Sequence, residues 1–200
     1  LLAKVSAGET VPFTILTTPR QGACEVIYMI ATLLEGEARD SYTLQYSRLA
    51  QHLDPDRSDA IMLSAKILDD MERYQLASDT YALVPPDSLQ FPAAETGRID
   101  ALREIGADET AIEVARNLTR SHPDLPFVHA KLADTLRGTS DFAGAFDAYS
   151  AALDLYSTED PVRWRVYFTR AIAAHSLDNW TQAEQDFRAA LALSPDQPQV

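Results

Sequence analysis

The sequence predicts an all-α chain, built as an array of antiparallel helix pairs, from three observations. Small residues recur at Ala77, Ala111 and Ala145, 34 residues apart each time; Ala183 follows 38 residues later, and Thr43 holds the slot one period earlier. Self-similarity at such a spacing is the mark of a repeat architecture. Within each period two apolar stripes at helical spacing are separated by a short polar break, which reads as helix, reversal, helix. Composition agrees: 46% hydrophobic and 24% charged residues with 7 Gly suit an ordered core rather than a disordered chain.

Residues 1–23 fall outside the period. Leu1 to Ala7 reads as a short helix and Thr10 to Pro19 as an extended stretch. Three roles stay open for this segment: a cap on the apolar end of the array, the remnant of a preceding repeat, or an internal ligand lying across the groove. Five units then run over 24–57, 58–91, 92–125, 126–159 and 164–197, with 160–163 inserted before the last and 198–200 left beyond it. In the first half of each unit, Ala31, Ala65, Ile99, Ala133 and Ala171 are followed three residues on by Leu34, Leu68, Leu102, Leu136 and Ala174. In the second half, the small column is followed by Ser47, Tyr81, Ala115, Tyr149 and Phe187, then by Ala50, Val84, Leu118, Ala152 and Ala190. Spacings of three, four and seven fall on one helical face. Breaks such as Gly106-Ala107-Asp108, Gly138 to Asp141 and Asp178-Asn179 suit tight reversals, and Pro55, Pro123 and Pro195 stop the second helices. In the insertion, Asp160 followed by Pro161 predicts an N-cap and an early helix start at Pro161.

A 34-residue helix-turn-helix with small close-packing positions, a mid-helix aromatic and a terminal proline resembles the tetratricopeptide repeat (TPR) family. The stretch from Trp180 through Ala183, Phe187, Ala190 and Leu191 to Pro195 matches the second helix of that pattern almost throughout. The resemblance covers about residues 24–197 and implies a right-handed α-solenoid, the TPR superhelix. Departures are local. Thr43 and Ser47 weaken the first unit, Pro85-Pro86 shorten the second helix of the second, and Arg98 and Arg170 stand where the family often has Leu. The bias of 14 Arg over 3 Lys, with abundant Ala and Asp, suits a GC-rich bacterial source.

The 17 basic and 30 acidic residues leave a net charge of −13, which repels phosphate backbones and anionic lipid headgroups, and no run of Lys or Arg overrides it. Nucleic acid and membrane partners are therefore not expected; a neutral, apolar or basic protein or peptide is. No stretch is long and apolar enough to span a bilayer. Cys24 is the only cysteine and reads as a core residue, while His52, His122, His129 and His175 lie in different units without zinc spacing. The glycines form no phosphate loop, Asp54, Asp56, Asp69 and Asp70 lack the rest of a calcium loop, and no nucleophile elbow occurs. No catalytic residue, metal or cofactor is expected.

In TPR proteins the first helices line a concave channel, so the resemblance implies inward-facing positions here. From those positions the candidate partner-binding set is Tyr28, Thr32, Met62, Lys66, Asp69, Asp100, Arg103, Lys131, Asp134, Arg137, Phe168, Ile172 and His175. The positions that carry a Lys/Asn/Arg carboxylate clamp in chaperone-binding arrays hold Tyr28, Thr32, Leu63, Ala93 and Gly97 instead. The asparagine ladder of O-linked N-acetylglucosamine transferases is likewise missing. Interleaved charges with a few apolar anchors suit an extended or helical peptide. The expected function is a non-catalytic interaction scaffold. Two other readings stand beside it: the TPR portion of a larger enzyme or envelope-assembly factor, or a module that self-associates into a homodimer through uncapped ends, where Ala183, Phe187 and Leu191 form an apolar patch. With an exported leader upstream, the chain would resemble periplasmic or envelope-associated TPR adaptors; otherwise it would be cytoplasmic.

Overall fold

A computed structural model describes residues 18–195, and within them the chain forms ten helices and no strand. The expected helix and extended stretch lie outside the described residues, except for the last two residues of the stretch. The first pair is α1 (Pro19–Leu34) and α2 (Asp40–Leu53), and the second α3 (Ser58–Asp70) and the short α4 (Tyr74–Tyr81). Then follow α5 (Phe91–Glu104) with α6 (Asp108–Ser121), α7 (Pro126–Gly138) with α8 (Phe142–Leu155), and α9 (Arg163–Ser176) with α10 (Trp180–Leu193). Each helix packs on its neighbours in the chain, giving an all-α, right-handed solenoid of antiparallel pairs.

Local chemistry sets the ends. Pro19 opens α1 rather than closing an extended stretch, because Thr18 and Gln21 form a reciprocal capping box, each side chain accepting from the other's backbone N–H at 3.2 Å. The helices α2, α6 and α10 each stop two residues before Pro55, Pro123 and Pro195. In α4 the last helical residue is Tyr81, well short of Pro85-Pro86, so this second helix is the shortest. Every reversal within a pair passes through one residue of positive φ: Gly36, Glu72, Gly106, Ser140 and Asp178. In four of them the same bond closes the first helix. Arg73, Ala107, Asp141 and Asn179 donate their N–H to the carbonyls of Leu68, Leu102, Leu136 and Ala174 at 2.8–2.9 Å, the six-to-one bond of a Schellman end. The column predicted as apolar thus also supplies the closing carbonyl.

The expected helix start at Pro161 is corrected. Asp160 accepts from the Val162 N–H at 2.9 Å and so forms a turn, and α9 begins at Arg163. The Arg163 guanidinium in turn donates to the carbonyls of Leu153 and Tyr156 at the end of α8.

The core is a row of small clusters, each shared by helices that lie close together along the chain. Ala77, Ala111 and Ala145 are fully buried and Ala183 and Thr43 nearly so; Ala31, Ala65, Ile99, Ala133 and Ala171 are fully buried on the first helices. Methyl-sized side chains let the backbones approach, and a larger one would overpack the contact at about 1–3 kcal/mol. Cys24 belongs to this core, its thiol directed at the Ala50 carbonyl. Arg170, one of the departures, joins three helices: its guanidinium grips Asp186 of α10 through two bonds of 2.7 Å and reaches Ser150 of α8 at 3.0 Å. Asp186 is only 2% exposed, so this is a buried bidentate ion pair.

Candidate functional site

The first helices form one wall. Along the array α3 touches α5, α5 touches α7 and α7 touches α9, whereas among the described residues no two second helices make a comparable contact. Elements that approach one another lie on the inside of a curved array, so α1, α3, α5, α7 and α9 line its concave face.

Side chains on that face meet in a fixed register. Lys66 donates to Glu35 at 2.6 Å, Gln90 bonds Asp59, and Lys131 reaches both oxygens of Asp100 at 2.9 and 2.7 Å; in each pair the partners are 31 residues apart. That separation is one helical turn short of the 34-residue period, so a residue meets the next first helix one turn early. The same register sets Arg103 level with Asp134, although the Arg103 guanidinium lies over Gly138 one turn further along α7 and Asp134 pairs instead with Arg137 at 3.7 Å. It also sets Asp69 opposite Asp100, both acidic. Partial burial raises the Asp69 carboxyl above its usual range, with the charges of Asp100, Asp70 and Glu104 adding to the shift.

Two clefts open along this wall. The larger, about 280 Å³, lies between Tyr28 and Glu35 at one side and Asp59, Met62, Lys66, Tyr81 and Gln90 at the other. Its Tyr28 ring is held by the Arg57 guanidinium, 4.5 Å from the ring centre, and Arg57 is held in turn by Glu25 at 2.6 Å. The smaller, about 160 Å³, is lined by Ala130, Asp134, Tyr149, Arg165 and Thr169.

Each cleft is floored by a tyrosine that reaches through from a second helix. Tyr149 donates to Asp134 at 2.6 Å and accepts from Arg137 Nε at 3.1 Å. Tyr81 lies flat against Gly97, where an added Cβ would fall 2.6 Å from the ring carbon that bears the hydroxyl. Its hydroxyl has no hydrogen-bond partner among the described residues, although the residue is only 6% exposed. Burial pushes both phenols up to about 12, helped by Asp134 at Tyr149 and by Asp69, Asp70 and Asp100 at Tyr81.

No family model and no curated protein sequence matches the chain. Solved structures do. MamA residues 41 to the end from Desulfovibrio magneticus RS-1 superimposes with a TM-score of 0.72 at 15% identity, over 92% of this chain and 99% of that one. YrrB, described as a TPR protein with an unusual peptide-binding site, gives a TM-score of 0.66 at 14% identity over 92% and 96% of the two chains. BtubC from P. vanneervenii gives 0.73 at 15% identity over 86% and 79%. The chain has the TPR fold.

Within this TPR array the candidate residues divide into groups rather than forming one site. Tyr28, Met62 and Lys66 share the larger cleft, with exposed Thr32 beside it on α1, its hydroxyl turned back to the Met29 carbonyl. Asp69, Asp100 and Lys131 form the middle of the wall, and Asp134 and Arg137 are tied together through Tyr149. Arg103 lies over Gly138 at the end of α7. Phe168 packs edge-on against Phe187 at 5.8 Å, with Ile172 half-buried one turn further along α9. His175 packs at a tilt of 42° against Trp180, ring centres 4.5 Å apart, in a separate apolar cleft of about 310 Å³ with Ala183, Phe187 and Leu191. Reasoning from the sequence left Tyr81, Gly97 and Glu35 out of the candidate partner-binding set, although Gly97 and Glu35 stand at inward-facing positions of the repeat pattern. Tyr81 was assigned to the core column. The signal that finds the others is the 31-residue register, which needs the tilt between repeats as well as their period.

Proposed function

We propose that the TPR array is a non-catalytic scaffold that binds a peptide or protein segment along its concave face. The observation that carries this reading is the larger cleft: half-buried aromatic and thioether side chains, Tyr28 and Met62, stand beside charged and amide groups on helices that their neighbours hold rigid. Apolar anchors rimmed by polar groups are what a peptide groove requires. YrrB, a TPR protein with a peptide-binding site and the same fold, supports the analogy. Partners fit the acidic surface when they are neutral, apolar or basic rather than nucleic acid.

The test is selection of random displayed peptides on the chain, followed by challenge with a variant carrying Thr32→Trp and Thr96→Trp. These two surface threonines sit on first helices, so bulky replacements obstruct the groove without emptying the core. Selected peptides bind the native chain and lose affinity at least about tenfold on the variant with its helicity unchanged; retention of full affinity places binding elsewhere. A second reading, self-association, is favoured by the apolar side chains exposed at the ends: Val26, Leu33 and Tyr42 on the first pair, Trp180 and Leu191 on the last. It predicts a mass that rises with concentration in sedimentation.

A further inference from the structure

At every junction between repeats, the second helix of one unit covers the first helix of the next: α2 lies on α3, α4 on α5, α6 on α7 and α8 on α9. Three positions of the first helix take that contact. The third holds Ala60, Ala94, Val128 and Val166 and the tenth Ile67, Ala101, Thr135 and Ala173, none more than 4% exposed. The sixth, between them, includes Leu63, which is buried, and Gly97, which receives the Tyr81 ring from α4. Ala94 and Ala101 share their cluster with Tyr81 and Val84 of the preceding unit, and Ala60 shares its own with Ala50.

On α1 the same three positions are Val26, Met29 and Leu33, and there they are 58%, 54% and 73% exposed. All three are large and apolar, and spacings of three and four residues put them in one stripe. In the later units this stripe is core. The first helix thus presents one half of a repeat interface, and no described residue supplies the other half.

The internal junctions show where such a partner comes from. The covering element is always the one that immediately precedes the first helix, joined to it by four to nine residues. For α1 that place in the chain belongs to the residues before Thr18, outside the described range. Val11, Phe13 and Ile15 alternate there with Pro12 and Thr14, and a period of two puts three large apolar side chains on one side of an extended chain. The lengths correspond as well. Turned back from Thr18, an extended chain at about 3.3 Å per residue carries Phe13 about 16 Å and Val11 about 23 Å. At about 1.5 Å per residue, Met29 and Leu33 lie about 16 and 22 Å from Thr18 along α1.

We infer that residues 11–15 seat on the stripe of Val26, Met29 and Leu33 and cap the first end of the solenoid. Of the three roles that the sequence leaves open for this segment, the cap is the one that meets an open apolar face of matching length. A second copy has to reach that face from solution, whereas the segment is joined to it through Thr18 and acts at a far higher effective concentration. The cap is independent of the peptide-binding reading. It leaves the concave side clear and closes the face through which end-to-end association would proceed.

Proteolysis of the whole chain tests it. Chymotrypsin is applied in native buffer, and cleavage after Phe13 is followed by mass. A seated Phe13 is cut only through local opening, so its rate is at least about tenfold below that of a free peptide with the sequence of residues 9–17. Leu33→Asp, which disturbs no buried contact among the described residues, raises the rate about tenfold or more with helicity unchanged. Leu193→Asp, at an exposed leucine of α10, leaves it unchanged. Dilution over about a hundredfold range also leaves it unchanged, as an intramolecular contact requires. A parent rate equal to that of the free peptide, or no response to Leu33→Asp, overturns the cap. Protection that appears only at high protein concentration overturns it in favour of a second copy. Protection lost in Thr96→Trp but kept in Leu33→Asp overturns it in favour of a segment lying in the groove.

Discussion

Tyr81 and Tyr149 occupy the same position two periods apart, and both reach from a second helix to the concave face. Around Tyr149 the polar groups are closed: Asp134 accepts its proton, Arg137 donates to its oxygen, and Arg170 and Asp186 lock the next pair behind it. Around Tyr81 the corresponding positions are Lys66 and Asp69, and neither bonds the phenol. Lys66 turns instead to Glu35, whose hydrogen bond holds its ammonium above the ordinary range. Exchanging acid then base for base then acid keeps the local charge and loses the network. A hydroxyl needs both partners within a turn of one another, and the preceding unit draws the cation away. Repetition therefore copies the backbone and the close-packed small residues, while each unit is free to leave polar groups closed or open.

The largest test of that contrast removes a lock from the closed half. Arg170→Leu restores the residue type common in TPR proteins at that position, but strands the Asp186 carboxylate, which is 2% exposed. It lowers stability by about 3–5 kcal/mol in urea unfolding, whereas Arg170→Leu with Asp186→Leu recovers most of that loss. If the single variant is as stable as the parent, the closed half does not depend on its polar groups.

A smaller effect compares the two tyrosines directly. Tyr149→Phe removes a donor from Asp134 and an acceptor from Arg137 and costs about 1–2 kcal/mol. Tyr81→Phe removes a hydroxyl with no partner and costs under about 0.5 kcal/mol. Because both substitutions keep the buried ring, the difference measures hydrogen bonding alone. Equal costs in thermal and chemical unfolding would show that the two sites are alike.

How much of this was legible beforehand follows from the same pair. The helix pairs, their reversals and the buried small columns could be read because each depends on contacts between residues three, four or 34 apart, which the chain displays directly. Pro161 was misjudged as a helix start because the N-cap pattern does not reveal that Asp160 spends its carboxylate on an Asx turn. The concave wall was legible as a set of positions and not as a set of pairs. Whether Asp69 meets a cation or an acid depends on how far one repeat rotates over the next, and that rotation displaces the register from 34 to 31. Gly97 was read as an inward-facing position that lacks a clamp residue, and nothing local shows that the ring it admits comes from the preceding helix.

The smallest effect isolates Asp69, which faces another acid. Burial, with the charges of Asp100, Asp70 and Glu104, raises Asp69 in the folded chain, while Lys131 offsets Asp100 from the other side and Tyr81 stands neutral next to them. A carboxyl that holds its proton more tightly when folded penalises folding wherever it is ionised. The penalty is absent below the ordinary value of 3.8, where both states are protonated. It grows as pH rises through the window up to the folded value, and it is complete at neutral pH. Asp69→Asn has no such term. The variant is therefore more stable than the parent at pH 7 by a few tenths of a kcal/mol, the scale of a solvent-screened charge pair, and the gain disappears as the pH is lowered below the carboxylate range. A gain that persists in acid would assign it to packing by the amide rather than to charge. A loss at neutral pH would mean that Asp69 already has its cation within the chain.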